Sequence, residues 1–222
     1  LFTTGKECFP CILTTGDIVK KTRCADFDRT CAGFFMPQAS GPCRFGQYHK
    51  FHRMVLDEIG LEDVPMVLLD QTQQFSRHIK SFGPRFYSTC WELLVIVDAM
   101  QKMVREIRPY ELNRGHTDRL YRQCLLELAE VAEHRGDHVA EAAHIRRRIE
   151  QVPVDRSEAR PLVGIIGEIY VRSNEFANNF LVRRLEALGA EVALPPLQEW
   201  INYVAAGRRE IALEKGRPLA LG

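Results

Sequence analysis

The first third of the chain alternates between short apolar runs and one amphipathic stretch. Residues 33–36 form an apolar run that Pro37 ends, which predicts a buried strand. Apolar side chains at helical spacing predict a helix over residues 45–59 that ends at Gly60. Residues 64–69 predict the next strand. A strand, a loop, a helix and a strand in this order predict a parallel sheet covered by helices.

The middle of the chain has a helical period and many charged residues at i,i+4 spacing. Helices are predicted over residues 91–107, 118–133 and 137–151, and the last two form an antiparallel pair joined near Gly136. The segment of residues 81–158 is therefore expected to be a helical cap or insertion.

The α/β pattern returns near Arg160. Strands are predicted over residues 161–167 and 191–194, and helices over residues 178–188 and 197–214. The expected organisation is a cysteine-rich α/β subdomain over residues 1–80, the helical segment, and the start of a second α/β subdomain over residues 159–222. The chain begins at Leu1, inside a motif, so we expect it to be part of a longer protein.

Composition and charge are those of an ordinary globular protein. Hydrophobic residues make up 45% and charged residues 27%, and the net charge of +1 favours neither nucleic acid nor an acidic membrane surface. No apolar run reaches the length of about eighteen residues that predicts a membrane span. The seven cysteines are an odd number, and no signal peptide precedes them, which argues against a disulfide framework. We therefore expect a reducing cytoplasm, where clustered thiols usually serve metal or redox chemistry.

The first motif that carries chemistry is the pair Cys8 and Cys11, in a predicted loop of residues 2–11 before a short helix over residues 16–23. Two intervening residues let both sulfurs reach one metal or cluster from a tight turn, which Pro10 stiffens. The same spacing serves zinc sites, iron–sulfur clusters and dithiol redox centres. A dithiol centre would need the pair at a helix start that follows a strand, and no upstream strand is predicted.

The second motif surrounds Cys43, between a predicted strand and a predicted helix, where ligands of open α/β sheets collect. Backbone amides and the helix dipole there favour a thiolate or an anionic cluster. Gly41 and Gly46 permit close approach of a bulky group, and Arg44 and Gln47 are candidate neighbours of a ligand. The alternative is an inert, buried cysteine at a helix start.

The remaining cysteines have weaker claims. Cys24 and Cys31 lie in a polar stretch without a turn that would aim both sulfurs inward, so they are expected to be bystanders. Cys90 and Cys124 are expected to be core residues.

Two histidines form an alternative metal set. His49 and His52 lie three residues apart on the helix after Cys43 and could in principle bind a metal. Solvent-exposed helix positions are the expectation for both.

A third constellation follows the strand of residues 161–167. Glu168, Tyr170, Arg172 and Asn174 lie in the loop that the strand enters, which predicts a ligand-binding edge at the carboxyl end of a sheet. The loop matches neither a dinucleotide fingerprint nor a phosphate-binding loop of the Walker type. The alternative is a local ion pair between Glu168 and Arg172 that closes the loop.

Three segments together resemble a known family. They are residues 5–17, with the Cys8–Cys11 pair, residues 35–48, with Cys43, and residues 164–178. They resemble the activase-related branch of the 2-hydroxyacyl-CoA dehydratase family, which also includes the double-cubane-cluster reductases.

The resemblance implies Rossmann-like subdomains that clasp an iron–sulfur cluster, of the [4Fe–4S] or double-cubane type. Cys8, Cys11 and Cys43 match the cluster-ligand positions of the family motif. In the family an actin-like ATPase, separate or fused, delivers a low-potential electron to the cluster, and the dehydratases use it to remove water from an acyl-CoA substrate. Relatives pair two similar subunits, which implies a homodimer or a heterodimer. The chain has no actin-like phosphate loops, so no ATPase site is expected in it.

The expected function is an iron–sulfur electron-transfer or reductase component of such an ATP-dependent system. One alternative is a non-enzymatic partner module of the ATPase with a structural zinc or no metal, in which Cys24 or Cys31 would complete the zinc site. Another is an acyl-CoA-binding enzyme without a cluster that uses the Glu168 loop.

Overall fold

The computed structural model describes residues 2–38, 42–69 and 83–214 and divides the chain into two compact units, Leu1–Phe86 and Tyr87–Gly222. Among these residues the strands form two parallel pairs, and the other regular elements are helices. The predicted mixture of helices and parallel strands is therefore confirmed. No helix in the described part of the chain has both the length and the apolar character needed to cross a bilayer.

The first unit is built on one parallel strand pair and two helices. They are helix α1 (Phe9–Thr22), strand β1 (Phe34–Pro37), helix α2 (Tyr48–Glu58) and strand β2 (Met66–Leu69), with a 3₁₀ turn, Arg44–Gln47, before α2. Strand β1 pairs with β2 from Phe34 opposite Met66 to Pro37 opposite Leu69. The predicted strand–helix–strand unit is confirmed.

Helix α1 begins earlier than the sequence predicted. The prediction made residues 2–11 a loop and placed a helix over residues 16–23, whereas the helix begins at Phe9 with Cys8 as its N-cap residue. Pro10 is compatible with this start because the first helical turn has amide hydrogens without an intrahelical partner, so the missing N–H costs nothing. The cysteine pair therefore lies in the first turn of a helix.

Two hydrophobic clusters fix the direction of these elements. Cys11, Met36 and Tyr48 form one buried cluster, joined by Cys8, Phe45, Phe51, Met66 and Leu68. Leu56, Leu61 and Val64 form the other, joined by Ile18, Phe27, Phe34, Ile59 and Met66. Along both helices, the residues of the first cluster come earlier in the chain than those of the second. Along both strands, the order is the reverse. Both helices therefore begin, and both strands end, at the first cluster, which we call the cysteine end.

Helix α2 buries the face that carries both histidines, so the predicted exposure of His49 and His52 is wrong. His52 is fully buried, and its Nε2 lies 3.1 Å from the Thr14 hydroxyl. Burial lowers the pKa of His52, which favours the neutral ring. The two rings serve the packing of α2 against α1, and a hydrophobicity pattern alone does not count them as core.

The second unit combines a helical part with the second strand pair. Its elements are helices α3 (Phe86–Ile107), α4 (His116–Glu133) and α5 (His138–Glu150), strand β3 (Leu162–Gly164), helices α6 (Ile169–Ser173) and α7 (Leu181–Ala187), strand β4 (Glu191–Ala193) and helix α8 (Leu197–Glu214). Strand β3 pairs with β4 in parallel. Helix α6 was not predicted, and α7 begins three residues later than expected.

The core of the helical part contains Met100, Cys124, Leu128, Ile145 and Ile149. Cys124 is fully buried, as predicted, but Cys90 is exposed, so its assignment to the core is wrong. Cys90 lies in the first turns of α3, where the helix still has exposed faces.

A network of ion pairs ties the helical part of this unit to its α/β part. The Arg108 guanidinium donates to both carboxylate oxygens of Glu186, at 2.8 and 2.7 Å, and to Asp118 at 3.1 Å. Arg183 makes a second two-pronged contact to Asp118, at 2.9 and 2.8 Å. Burial alone would raise the pKa of Asp118, but the hydrogen bonds and charges of Arg183 and Arg108 outweigh it and lower that pKa.

Candidate functional site

The two cysteines of the pair lie in the first turn of α1. Cys8 is the N-cap residue and Cys11 the third helical residue. The Cys11 amide donates to the Cys8 carbonyl at 2.9 Å, and the Ile12 amide donates to the same oxygen at 3.2 Å. Cys8 is half-buried, whereas Cys11 is 4% exposed. The turn therefore presents one accessible and one shielded sulfur.

The chain before Cys8 is held by a carboxylate. The Glu7 side chain accepts hydrogen bonds from the Thr4 amide at 3.2 Å and the Gly5 amide at 3.0 Å. These backbone hydrogen bonds, with one from its own amide, lower the pKa of Glu7. Gly5 has φ +82°, a left-handed conformation that other residues rarely adopt. This turn orients the chain as it enters α1.

Tyr48 packs beside the cysteine pair. Its ring is buried in the same cluster as Cys11, and Cys8 packs against that cluster. Burial raises the pKa of Tyr48 most, and the neighbouring Cys8, Cys11 and Cys43 raise it further. Burial also raises the pKa of the Cys11 thiol, and a hydrogen bond from Thr15 offsets part of that effect.

Cys43 lies in extended backbone immediately before the 3₁₀ turn that leads into α2. Its side chain is exposed, so the alternative of a buried, inert cysteine is wrong. The Gly46 amide donates to the Cys43 carbonyl at 3.3 Å, which closes the turn. Gly41, the other glycine of the motif, lies outside the described residues.

A cavity of about 380 Å³ opens beside the cysteine pair. It is lined by Lys6, Glu7, Cys8, Cys11, Arg44, Gln47, Tyr48 and Phe51. Arg44 and Gln47, both predicted as neighbours of a ligand, therefore share a cavity with Cys8 and Cys11. Cys43 is not part of the lining but adjoins it through Arg44.

Two helices direct their N-terminal amides toward the cysteine end. Neither N-cap side chain, Cys8 of α1 nor Gln47 of α2, accepts a hydrogen bond from its own helix. The Cys11 and Ile12 amides donate to the Cys8 carbonyl and the Tyr48 amide donates to the Phe45 carbonyl. The dipoles of both helices leave a positive potential at the carboxyl ends of β1 and β2. Such a place is suited to thiolates or to an anionic group.

The other predicted site residues belong to the second unit and make their hydrogen bonds within it. The Glu168 carboxylate accepts a hydrogen bond from the Val171 amide at 2.8 Å and so caps helix α6. Asn174 accepts from the Ala177 amide at 2.8 Å and donates to the Tyr170 hydroxyl at 3.1 Å. These contacts shape the loop itself.

Arg172 also serves the loop. Its guanidinium donates to the Pro195 carbonyl at 3.4 Å, after strand β4, and no ion pair joins Arg172 to Glu168 among the described contacts. The alternative of an ion pair that closes the loop is therefore replaced by a helix cap and a side-chain bond to the backbone.

Cys24 and Cys31 are both exposed, and Cys24 lies beyond the opposite end of α1 from Cys8. Fourteen helical residues at 1.5 Å each separate the two ends by roughly 20 Å. The Cys24 thiol donates to the Lys20 carbonyl at 3.4 Å, and the Cys31 thiol to the Asp28 carbonyl at 3.7 Å. One metal ion cannot bridge Cys24 and the Cys8–Cys11 pair in this fold.

Within residues 2–38, 42–69 and 83–214, no three histidine, cysteine or acidic side chains are placed to hold one metal ion. Sequence reasoning did not single out Tyr48, which packs beside Cys8 and Cys11. The only sequence signal for it was its position, five residues after Cys43 at the start of a helix. Comparisons of the chain with protein families, curated proteins and solved structures find no match.

Proposed function

We propose that the cysteine end binds an iron–sulfur cluster through Cys8, Cys11 and Cys43 and that the protein is an electron-transfer or reductase component. The observation that carries this proposal is that Cys8 and Cys11 share one cavity with Arg44, the residue next to the exposed Cys43. Thiolates are the usual ligands of iron–sulfur clusters, which accept and donate single electrons when bound.

The donor set and its surroundings fit an anionic cluster. The uncapped N-termini of α1 and α2 and the guanidinium of Arg44 supply positive charge next to the thiols. Tyr48 lines the same cavity as Cys8 and Cys11, and its hydroxyl is a donor of the kind whose outer hydrogen bonds orient a ligand and shift its electron density. Three protein ligands on a four-iron cluster would leave one iron free for a substrate or an external ligand.

The parallel strand pair, with helix N-termini at its carboxyl ends, supports a Rossmann-like subdomain as the scaffold. The wider role is a proposal from the family resemblance. It comprises a cytoplasmic, dehydratase-like or reductase system, an actin-like ATPase as electron donor, an acyl-CoA-type substrate and a dimer of similar subunits. The cavity at Arg44 and Gln47, next to the thiols, is the place where such a substrate would meet the cluster.

The test is anaerobic reconstitution of the chain with iron and sulfide, followed by metal and sulfide analysis and electron paramagnetic resonance. We expect brown protein with iron and sulfide in equal amounts. Each of Cys8→Ser, Cys11→Ser and Cys43→Ser should weaken iron binding beyond the roughly 10- to 100-fold effect of losing an outer partner.

Cys24→Ser and Cys31→Ser are the matched controls, because both thiols lie away from the cysteine end and should leave bound iron unchanged. Colourless protein after reconstitution would refute the proposal. Zinc that is bound tightly and lost on Cys24→Ser or Cys31→Ser would establish the structural-zinc alternative in its place.

A further inference from the structure

We infer that Cys8 and Cys11 of the metal-free protein are a reversible dithiol–disulfide couple, which small-molecule disulfides oxidise through the more exposed sulfur, Cys8. The inference does not depend on cluster binding, since it concerns the thiols alone.

The position of the pair carries the inference. The setting expected for a dithiol centre is a helix start that follows a strand, and sequence analysis placed the pair in a loop. The structure places Cys8 at the N-cap and Cys11 at the third position of α1, with Pro10 between them, although the described residues before Cys8 contain no strand. The 2.9 Å hydrogen bond from the Cys11 amide to the Cys8 carbonyl keeps the turn between the two cysteines tight.

A disulfide fits this turn without rearrangement of the helix. A disulfide needs Cβ atoms about 3.5–4.5 Å apart, whereas residues three apart within a helix have them about 5–6 Å apart, so the bond requires Cys8 to move toward Cys11. Cys8 has the non-helical backbone of an N-cap (φ −58°, ψ 134°), so its side chain can adjust while the helical hydrogen bonds stay in place.

Exposure distinguishes the roles of the two sulfurs. Cys8 is half-buried and lines the cavity, whose rim includes the exposed residues Lys6 and Arg44, whereas Cys11 is 4% exposed. An external disulfide therefore reaches Cys8 first, and Cys11 attacks only within the protein. Electropositive and partly exposed surroundings of this kind are where reactive cysteines occur.

The reaction with oxidised glutathione balances in two exchanges. Cys8 loses its proton to water, and its sulfur attacks one sulfur of oxidised glutathione, which forms a mixed disulfide and releases one reduced glutathione. The Cys11 thiol then loses its proton to water, and its sulfur attacks the Cys8 sulfur, which forms the Cys8–Cys11 bond and expels the second glutathione as a thiolate that takes up a proton from water. Two protein thiols are oxidised, and one small-molecule disulfide is reduced.

The experiment uses the reduced, chelator-treated full chain, incubated anaerobically with oxidised glutathione, alkylated with iodoacetamide and digested with trypsin. Cleavage after Lys6 and Lys20 releases a peptide that contains only Cys8 and Cys11 as cysteines. We expect this peptide two hydrogen atoms lighter and without alkylation, whereas the exposed Cys24 and Cys90 carry glutathione or alkyl groups.

Two variants separate the roles. Cys11→Ser should accumulate glutathione on Cys8, and Cys8→Ser should leave Cys11 modified at least about tenfold more slowly than the exposed Cys43. A parent peptide that keeps glutathione on Cys8 as stably as Cys11→Ser, or a Cys8–Cys43 cross-link as the main product, would overturn the inference. Even if a variant folds poorly, the mass of the parent peptide shows whether the Cys8–Cys11 disulfide has formed. Iron binding is measured separately, so a failure here leaves the cluster proposal standing.

Discussion

The cysteine end of the first unit and the Glu168 loop of the second unit occupy the same kind of place. Each region lies next to a parallel strand pair, and in each region polar side chains lie at the N-terminus of a helix. The Glu168 side chain accepts a hydrogen bond from the Val171 amide of its own helix, whereas the Cys8 side chain accepts none from α1, whose Cys11 and Ile12 amides donate to the Cys8 carbonyl. At the start of α6 the N-cap side chain is already used. At the start of α1 the N-cap side chain is left for a ligand.

The ion pairs of the second unit differ from the cysteine end in the same way, because their polar groups are already paired with each other. Arg108 and Glu186 are mostly shielded, with side chains 12% and 8% exposed, and they are paired with each other. The cysteine end instead combines shielded and exposed thiols with a cavity. The comparison therefore assigns stability to the polar groups of the second unit and binding to those of the first.

The most severe test of this assignment is Arg108→Ala. Removal of the guanidinium leaves Glu186 and Asp118 without a shared partner, and breaking a buried ion pair costs about 3–5 kcal/mol. Urea unfolding followed by tryptophan fluorescence measures the loss, because Trp91 and Trp200 both lie in the second unit.

The control is Arg146→Ala, which removes an exposed pair with Glu150 and should cost at most about 0.5 kcal/mol. Acid supplies a second check. The pKa of Asp118 is lowered in the folded protein, so its contribution is present above the ordinary value of 3.8 and is lost as the pH falls through the folded value. The difference between parent and Arg108→Ala should therefore shrink below pH 3.8. A difference that stays constant would mean that the pairs contribute little.

Tyr48→Phe tests the binding role that the comparison assigns to the cysteine end. The change keeps the buried ring and removes the hydroxyl of a residue that lines the cavity beside Cys8 and Cys11. We expect iron binding about 10- to 100-fold weaker, as for other outer-shell partners, and a loss of folding stability of about 0.5–1.5 kcal/mol. Iron titration and circular dichroism measure the two effects.

Tyr203→Phe is the matched control, since that ring is 76% exposed on helix α8 and should change neither quantity. Equal iron affinity of Tyr48→Phe and the parent would show that the hydroxyl only fills space beside the thiols.

The sequence predicted the parallel strand pairs, because buried strands and amphipathic helices leave distinct periods. It also predicted that Cys43 lies between a strand end and a helix start, which is where the structure places it. It missed the start of α1, because residues that favour loops also favour the first turn of a helix. Burial of His52 was unpredictable for a similar reason: a polar side chain counts as core only when a specific neighbour, here Thr14, lies opposite.

Glu168→Ala has the smallest expected effect. It tests most directly whether a helix start that is capped by its own side chain is unavailable to a ligand. Loss of the cap on helix α6 should cost the second unit about 1 kcal/mol in tryptophan-monitored unfolding. Glu168→Asp should recover most of this loss, because aspartate is a preferred N-cap residue, and neither variant should change bound iron. If Glu168→Ala leaves stability unchanged and weakens acyl-CoA binding, the loop is a ligand site after all. The capped helix start would then be as available to a ligand as the uncapped one, and hydrogen bonding at the N-cap would not distinguish the two regions.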